Sequence, residues 1–418
     1  MVNGAQDFSA VSASTRKVQI PRRAGGKLLH IITGLNVGGA ETMLAKLIEN
    51  RAHMSVQMEQ EVLSLLTPGP LAERLKAAKI PVHTLNMSAG VLTPNALLRL
   101  RNVMNAISPD LIVGWMHHGF MAAWTGSRMV SPRPPVIWNV RHSISDIRDE
   151  KFTTRMILRA AAKVSGSASA IIYNSAVARS QYDAIGFDNR RAAIIANGFD
   201  CDQFRPDPSA NAWLRRTFDI APDVSVIGMV ARYHPMKDPD NLITAVAAVR
   251  ATDKDAHLLI VGKGMDALPP EVDRLARTLI PENRITLEGV RFDIQQILAG
   301  VDLLVSPSAW GEAFPNVLGE AMACGVPCIA TDVGDSKAII GEAGEAVPPR
   351  DPEALAQAIG RMLDLSEEER KALGQRGQAR VQEHYSMPTI VQQYSDLYES
   401  VLGMRDRTAP LTAQGVAT

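Results

Sequence analysis

The sequence has little cysteine, no net charge and no long apolar run. Its 418 residues include only three cysteines, Cys201, Cys324 and Cys328, which make no disulfide framework and indicate a reducing cytoplasm. The 44 basic residues are balanced by 44 acidic ones, whereas a dedicated nucleic-acid-binding protein is basic. No run of about 18 apolar residues is present, so no transmembrane helix is predicted. The balanced charge still allows a local basic patch against a membrane surface.

The first 26 residues also lack the apolar segment of a signal peptide. They are small and polar and then basic, with Arg16, Lys17, Arg22 and Arg23. We expect residues 1–26 to be a disordered leader, and we leave open whether its basic part contacts anionic lipid. The length of the chain is sufficient for two domains of ordinary size.

The chain has a regular alternation of short apolar strands and amphipathic helices. Strands are predicted in the first half at 27–33, 61–66, 80–85, 111–116, 135–140 and 170–173. A second series of strands is predicted at 224–231, 257–261, 285–288, 301–306 and 327–331. This alternation predicts α/β domains with doubly wound parallel sheets, which place ligands beyond the carboxyl ends of their strands. We assign the domains to residues 27–205 and 223–386, with a Pro-rich linker over 206–222.

The stretch Trp310–Gly325 contains the strongest candidate site. It follows a buried strand, and Pro315 and Asn316 are predicted to open an amphipathic helix. Glu312 lies in the loop before that helix and Glu320 lies inside it, eight residues later. The free N–H groups at the start of the helix suit an anion such as a phosphate. From the spacing alone, a solvated pair of acids, one of them capping a helix, is an equally good interpretation.

A glycine-rich turn joins the first strand to the first helix. Gly38 and Gly39 follow Gly34 in a G-x-x-x-G-G spacing, which lets the backbone approach a phosphate closely. The spacing is not the G-x-G-x-x-G fingerprint of dinucleotide-binding domains, so a dinucleotide-dependent oxidoreductase is not favoured. Taken alone, the turn is equally well explained by tight packing.

Four more polar residues are predicted just beyond strand ends. Arg232 and Lys237 lie five residues apart in one loop and could both hold a diphosphate, although two solvated cations are the more frequent explanation of such a pair. His117 and His118 are predicted in the loop after strand 111–116. A neutral histidine there can hydrogen-bond a sugar hydroxyl, but histidines in such loops more often serve packing.

Together and in this order, these motifs resemble the retaining glycosyltransferases of family 4. The resemblance covers roughly Lys27 to Val401, and it implies the GT-B fold, in which two Rossmann-like domains face a central cleft. It also implies that a helix over 387–403 crosses back to the first domain, ahead of a flexible tail over 404–418. The motifs that carry it are Gly38-Gly39-Ala40-Glu41, Asn197-Gly198-Phe199-Asp200, Arg232-x4-Lys237, Gly262-Lys263-Gly264 and Glu312-x7-Glu320.

By this resemblance each motif has a role at a nucleotide-sugar site. Glu312 would face the donor sugar, Glu320 would hold the ribose, and Arg232 and Lys237 would hold the leaving diphosphate in place of a metal. His118 matches a family histidine at the reacting region of the sugar, although the choice between His117 and His118 stays open. Arg141 is expected to contact acceptor or donor. Further contacts to the nucleotide sugar are expected from Gly38, Gly39, Asn197, Gly262, Gly264, Val290, Phe314, Asn316 and Val317.

The segment Asp200-Cys201-Asp202 has the D-x-D form of the metal motif in a different glycosyltransferase architecture. It lies in a turn, where aspartate is common, so we predict no metal site there.

The resemblance implies a retaining, metal-independent glycosyltransferase that needs no cofactor. The donor is expected to be a nucleotide-diphosphate sugar. The acceptor is expected to be a glycan or a lipid-linked hydroxyl in cell-surface polysaccharide, lipopolysaccharide or glycolipid synthesis, with peripheral contact to the inner membrane face and no nucleic-acid partner. The alternatives are another GT-B enzyme, such as a sugar-nucleotide epimerase or a phosphorylase, and a non-catalytic nucleotide-sugar binder. The sugar, the base, the acceptor and the oligomeric state stay open.

Overall fold

The computed structural model describes residues 24–87, 93–144, 146–252 and 254–403. They form two α/β units, each built on one sheet of parallel strands. The predicted tail over 404–418 lies outside the described residues. So does the predicted leader, except that residues 24–26 already belong to the first strand.

The first sheet contains seven strands. They are β1 (Ala24–Ile32), β2 (Gln57–Ser64), β3 (Val82–Thr84), β4 (Leu111–Trp115), β5 (Val136–Val140), β6 (Ala170–Tyr173) and β7 (Ala192–Ile194). Their order in the sheet is β3-β2-β1-β4-β5-β6-β7, and all pairs are parallel. The helices between them are α1 (Gly39–Glu49), α2 (Pro70–Ala77), α3 (Pro94–Ile107), α4 (Met116–Ser127), α5 (Phe152–Val164) and α6 (Ala176–Ala184).

The second sheet contains six strands. They are β8 (Ser225–Val230), β9 (Ala256–Val261), β10 (Ile285–Glu288), β11 (Leu303–Ser306), β12 (Cys328–Thr331) and β13 (Gly344–Val347), in the order β10-β9-β8-β11-β12-β13. The helices of this half and of the C-terminal region are α7 (Ala210–Thr217), α8 (Pro239–Arg250), α9 (Pro270–Leu279), α10 (Ile294–Gly300), α11 (Asn316–Ala323), α12 (Ser336–Ile340), α13 (Pro352–Asp364), α14 (Glu367–His384) and α15 (Met387–Val401).

Both sheets reverse their strand order at one point. In the first sheet β1 lies between β2 and β4, and in the second sheet β8 lies between β9 and β11. Connections on the two sides of such a point run to opposite faces of the sheet, which opens a crevice beyond the carboxyl ends of the strands. The loops after β1, β4, β8 and β11 therefore border the two crevices, and these loops together with the helices that follow them contain most of the predicted site residues.

The central strands are mostly apolar because helices cover both faces of each sheet, whereas β2, β10 and β13 also contain charged residues. In β1, Leu28 and Ile32 pack into the core on one face, while Leu29 and Ile31 pack into the core on the other. All four side chains are fully buried. This is why β1 reads as a continuous apolar run and not as an alternating pattern.

The final helix returns to the first sheet, as the resemblance implied. Ile390, Tyr394 and Tyr398 of α15 are buried in the same core cluster as Leu28 of β1. The hydroxyl of Ser395 also forms a hydrogen bond of 2.9 Å with the hydroxyl of Ser55, which lies just before β2. The first domain is therefore built from two separate parts of the sequence.

The segment 206–222, predicted as a linker, contains helix α7. Leu214 of α7 is fully buried in the core of the second sheet, and Asn211 Nδ2 donates a 2.7 Å hydrogen bond to the carbonyl of Gly300. The sequence did not predict α7 because its eight residues follow a Pro-rich, polar run that indicated a linker. A sheet-covering helix thus takes the place of an extended connection.

Helix α14 was also not predicted. Its buried face contains Gly374 and Gly377, where close approach replaces apolar side chains. Gly374 lies directly against the backbone of Gly325. A helix packed through glycines shows no apolar periodicity, so the sequence pattern could not reveal it. No helix in the described ranges has the length and apolar character that crossing a membrane requires.

Candidate functional site

An ion pair between Lys237 and Glu312 lies at the strand-order reversal of the second sheet. Lys237 Nζ contacts Glu312 Oε1, and the hydroxyl of Ser308 donates a 2.7 Å hydrogen bond to the same oxygen. The lysine side chain is 19% exposed and the glutamate side chain 10%. Both charges are thus largely withdrawn from water while keeping access to the crevice. The structure brings these two predicted residues into direct contact.

The backbone around Glu312 is fixed by two glycines. Gly311 has φ +76° and Gly334 has φ +63°, a region that residues with a side chain rarely adopt. A Cβ atom at 334 would lie 2.5 Å from the carbonyl oxygen of Glu312. The Ala309 N–H also donates to the carbonyl of Met236, which ties this loop to the loop that carries Lys237. The position of the Glu312 carboxylate therefore depends on close backbone packing.

Arg232 is exposed in the loop after β8. Behind it, Gly262 has φ +148° and packs against the carbonyl of Ala231, and the Tyr233 N–H donates a 2.7 Å hydrogen bond to the carbonyl of Lys263. The predicted Gly262-Lys263-Gly264 turn thus supports the loop of Arg232 by backbone contacts. The guanidinium is left facing solvent.

Asn197 and Asn316 connect the two domains at the start of α11. Asn197 Nδ2 donates a 2.6 Å hydrogen bond to Asn316 Oδ1, and Arg141 donates to Asn197 Oδ1. The same guanidinium donates to Asn139 Oδ1 at 3.0 Å and to the hydroxyl of Tyr394. Each of the three guanidinium nitrogens thus makes one hydrogen bond within the protein, and two of the five N–H groups are not used in these bonds. The expectation that Arg141 contacts acceptor or donor stays a prediction.

Glu320 is half-buried in the second turn of α11. Burial raises the pKa of its carboxyl group, and the charge of Lys46 on α1 opposes that rise. Within the described ranges, no group donates a hydrogen bond to this carboxylate. Its oxygens therefore accept no hydrogen bond from the described residues, while the charge of Lys46 in the first domain favours their ionised form.

The turn before α1 is stabilised by backbone contacts. Gly38 is extended and precedes the helix without a side-chain cap, and the Glu41 carboxylate folds back against it. Burial raises the pKa of Glu41, while a hydrogen bond from its own backbone N–H lowers it. A Cβ atom at Gly39 would meet no atom within 4 Å, so the first N–H groups of α1 border open space.

His117 and His118 lie in the first turn of α4, and the prediction that they belong to a loop is wrong. The helix begins directly after β4 because Met116 adopts φ +61°, which turns the chain within one residue. The two imidazole centroids are 4.4 Å apart, and His142 lies 6.4 Å from His117. Burial and the two neighbouring histidines lower the pKa of His117 to about 3, and burial lowers the pKa of His118. Both rings are therefore neutral near pH 7.

The remaining predicted residues differ in their surroundings. Val290 is 59% exposed in the loop after β10, and Val317 is half-buried in the first turn of α11. Phe314 is buried, with its ring stacked on that of Phe199 at a centroid distance of 6.1 Å and edge-on to that of Tyr385 at 5.8 Å. A contact between Phe314 and a nucleotide sugar would therefore have to use its backbone.

Asp200 has a local structural role. Its Oδ1 accepts hydrogen bonds of 3.0 Å from the N–H groups of Asp202 and Gln203, which is the turn chemistry expected of aspartate. Among the described residues, no three His, Cys, Asp or Glu side chains are arranged so that they could hold a metal ion.

One interdomain residue was missed by the sequence analysis. Asp335, which precedes α12, accepts hydrogen bonds from the N–H groups of Ala176 and Val177 at the start of α6. Burial raises the pKa of Asp335, and these two backbone donors lower it. No sequence signal pairs residues 159 positions apart, because the contact exists only once the two domains meet.

Comparisons with known proteins agree with this architecture. Residues 38–198 match the glycosyl transferase 4-like domain family, and residues 224–365 match the glycosyl transferases group 1 family. The crystal structure of Anabaena Alr3699/HepE in complex with UDP and glucose superposes with a TM-score of 0.75 and 25% identity. The match covers 90% of this chain and 100% of that chain, and the shared arrangement is the GT-B fold.

Two curated relatives match over part of their length. The N-acetyl-alpha-D-glucosaminyl L-malate synthase of Bacillus anthracis is 32% identical over 192 residues, and the D-inositol 3-phosphate glycosyltransferase of Salinispora tropica is 31% identical over 244 residues. These alignments cover 45% and 54% of this chain, and they span about half the length of each relative.

Proposed function

The chain belongs to the group 1 glycosyltransferases, and from this premise we propose that it moves a sugar from a nucleotide-diphosphate sugar to an acceptor hydroxyl with retention of the anomeric configuration. The observation that carries the proposal is the Lys237–Glu312 ion pair at the strand-order reversal of the second sheet, beside the exposed Arg232. These three residues together supply two cations for a diphosphate and one carboxylate for the sugar hydroxyls.

The two cations act on the leaving group. When the bond between the anomeric carbon and the diphosphate oxygen breaks, the sugar gains positive charge and the diphosphate gains negative charge. Lys237 and Arg232 stabilise the diphosphate in place of a metal, together with the free N–H groups at the start of α11. A preorganised donor of this kind contributes about 3 kcal/mol to transition-state stabilisation.

The carboxylates act on hydroxyl groups. Glu312 accepts hydrogen bonds from the donor sugar and orients its anomeric carbon. Glu320 accepts from the ribose hydroxyls, because its oxygens have no hydrogen-bond donor within the described ranges and an ionised carboxylate accepts on both oxygens. The Lys46 charge favours the ionised form that this role requires.

The leaving diphosphate of the donor sugar nucleotide accepts the proton of the acceptor hydroxyl. In this proposal the new bond forms on the face from which the diphosphate departs, and a diphosphate oxygen takes the hydroxyl proton. The sequence offers no second carboxylate as a nucleophile, which does not favour the double displacement of retaining glycosidases. His118 is neutral and serves as a hydrogen-bond partner of the sugar, since its lowered pKa makes it a poor proton carrier near pH 7.

The relatives indicate which donor bases and which acceptors should be tested first. HepE was crystallised with UDP and with UDP-glucose, so UDP-sugars are the first donors to test. We propose a glycan or lipid-linked acceptor in cell-surface polysaccharide, lipopolysaccharide or glycolipid synthesis. The names of the two curated relatives indicate small acceptors, L-malate and inositol 3-phosphate, which are therefore the alternative arms of the test.

The test measures ligand binding and transfer with the full-length chain. UDP, GDP, ADP and their sugars are screened by thermal shift, since a ligand at a hundred times its Kd stabilises by about 2.7 kcal/mol. The donor that binds is then incubated with glycolipid and small acceptors, and NMR determines the anomeric configuration of the product. A retained configuration supports the proposal.

Three outcomes would contradict it. An inverted configuration excludes the retaining mechanism. Interconversion of two nucleotide sugars without transfer, or transfer to inorganic phosphate, would identify the epimerase or phosphorylase alternatives. Donor binding with no turnover of any acceptor or of water would identify a non-catalytic binder.

A further inference from the structure

Helix α5, on the surface of the first domain, carries a cationic stripe and an adjacent apolar stripe, whose side chains are exposed except for the half-buried Arg155. Lys151, immediately before the helix, begins a cationic stripe that repeats every fourth residue: Lys151, Arg155, Arg159 and Lys163. The next positions form an apolar stripe at the same spacing: Phe152, Met156 and Ala160. Residues four apart are neighbours on a helix surface, so each stripe is continuous.

The apolar stripe is unusually open to water. Phe152 is 67% exposed and Met156 is 50% exposed, although both are side chains that normally pack inside a protein. The opposite face of α5 is where the helix meets its own domain, through the buried Leu158 and Ala161. The exposed Phe and Met are thus not part of the core.

The residues of the cationic stripe form no ion pair in the part of the chain that the structure describes, although Asp149 and Glu150 precede Lys151 in sequence. Helix α5 contains no acidic residue, and within the described ranges no carboxylate lies within 4 Å of the charged groups of its four cations. Like charges four residues apart on a helix destabilise it. The Arg155 guanidinium lies 5.8 Å from the ring centroid of Phe152, so charge and apolar surface lie side by side.

The end of α4 extends the cationic surface. Trp124 Nε1 and Arg128 Nη2 both donate to the hydroxyl of Ser167, just beyond α5, at 2.8 and 3.2 Å. The Arg128 guanidinium stacks 3.7 Å from the ring centroid of Trp124, and Arg133 nearby is also exposed. The patch therefore spans two helices of the same domain.

We propose that this surface, consisting of α5 with Arg128 and Arg133, docks the protein on a bilayer that contains anionic lipid. Helices that lie in a membrane interface combine a row of Lys and Arg with exposed Phe or other apolar side chains and have modest overall hydrophobicity. The occupant is a lipid surface and not a nucleic acid, because the exposed Phe and Met call for an apolar phase beside the phosphates. The site lies outside the nucleotide-sugar crevice and stands independently of the proposed transfer.

The position of α5 determines how close the crevice lies to a membrane on which the protein has docked. The helix follows β5, whose carboxyl end lies at the crevice edge of the sheet, so Phe152 and Met156 occupy the turns of α5 nearest that edge. Docking through these turns places the crevice beside the lipid headgroups. A lipid-linked hydroxyl would then be presented at the height of the active site.

Co-sedimentation of the full-length protein with vesicles tests the proposal. The vesicles consist of phosphatidylcholine alone or of phosphatidylcholine mixed with phosphatidylglycerol. We expect binding only to the mixed vesicles and weaker binding at high salt, because exposed charges are screened. Each cation near an anionic surface contributes about fivefold to partitioning, so the double substitution Arg159→Gln and Lys163→Gln should lower it about 30-fold. Phe152→Ser should lower it about tenfold.

Two controls match these variants. Lys371→Gln with Arg376→Gln removes two exposed cations from α14, and Phe292→Ser removes a side chain that is 94% exposed in the second domain. Both should bind vesicles as the wild type does. Equal binding to neutral and anionic vesicles, or equal losses in controls and α5 variants, would overturn the proposal. So would sedimentation analysis in which the α5 substitutions convert a dimer to a monomer, since the face would then join two copies of the chain.

Discussion

The carboxylate of Asp335 accepts a 2.9 Å hydrogen bond from the backbone N–H of Ala176, which joins the second domain to the first helix turn of α6 in the other. A second hydrogen bond of 3.3 Å comes from the N–H of Val177. The contact is a helix cap in which the cap belongs to a different domain. It fixes the relative position of the two crevices.

Asp335→Ala should therefore loosen the contact between the two domains. Loss of a capping carboxylate costs about 1 kcal/mol of stability. We expect kcat to fall and small-angle scattering to show a more open molecule, with UDP-sugar affinity nearly unchanged. Asp202→Ala, an exposed aspartate in a local turn, is the matched control. An unaltered scattering profile in Asp335→Ala would contradict the role of this contact.

Substitution of the Lys237–Glu312 pair should separate stability from catalysis. Lys237→Met leaves a mostly buried carboxylate without its partner, so we expect a destabilisation of about 1–3 kcal/mol and a loss in kcat of at least 100-fold. The double variant Lys237→Met, Glu312→Gln removes both charges and should regain most of the stability. Denaturant unfolding and initial rates measure the two effects. Recovery of activity along with stability would show that the pair is only structural.

Glu320 should oppose stability in the absence of ligand. Because burial raises its pKa, the folded protein binds a proton more readily than the unfolded chain does. The raised pKa therefore lowers the free energy of unfolding progressively as pH rises from the pKa of the unfolded chain to that of the folded protein. Above both pKa values this destabilisation is fully present. We expect Glu320→Gln to raise the melting temperature of the ligand-free protein near pH 7 and to abolish the shift caused by the nucleotide. A full nucleotide shift in this variant would exclude the ribose role.

The glycine at 334 should control the position of Glu312. Gly334→Ala places a methyl group against the Glu312 carbonyl in addition to the cost of φ +63°, so kcat should fall more than stability does. Gly403→Ala is the control, since Gly403 has φ +69° and no atom within 4 Å of an added Cβ. This control should lose about 1 kcal/mol and no activity. Equal effects on kcat in both variants would contradict the prediction.

The histidines should leave no step in the pH profile. With the pKa of His117 at about 3 and that of His118 below its ordinary value, neither ring changes charge as pH rises from 6 to 8. We therefore expect these two groups to cause no change in kcat between pH 6 and pH 8. His118→Asn should lower kcat about tenfold through the lost hydrogen bond to the sugar, and His117→Asn should lower it less. The opposite order would assign the sugar contact to His117.

The sequence predicted the site more fully than the connections between its parts. Strand ends and the loops after them were readable because each apolar run stops at polar residues, which is how Arg232, Lys237 and Glu312 were found. Their direct contact was not readable, since it depends on the order of β8 and β11 in the sheet. The same holds for Asp335, whose partners are backbone groups of another domain.

Local chemistry also hid some features of the fold. Met116 carries a side chain and still adopts φ +61°, so nothing in the sequence indicated that α4 starts before His117 and not after it. Phe314 was predicted as a ligand contact from its place in the motif, but its ring fills an aromatic cluster with Phe199 and Tyr385. Motif position predicts where a residue lies along the chain, whereas packing decides which way its side chain points.

The return of α15 to the first sheet sets the order in which a newly synthesised chain can reach its final form. Residues 27–205 leave the ribosome before the second domain, yet their core lacks Ile390, Tyr394 and Tyr398 until α15 has also been translated. The second domain is contiguous in sequence and can complete its own core earlier. The half of the protein that is made first is thus finished last, and a nascent chain stopped before residue 387 exposes the apolar groove that α15 would fill.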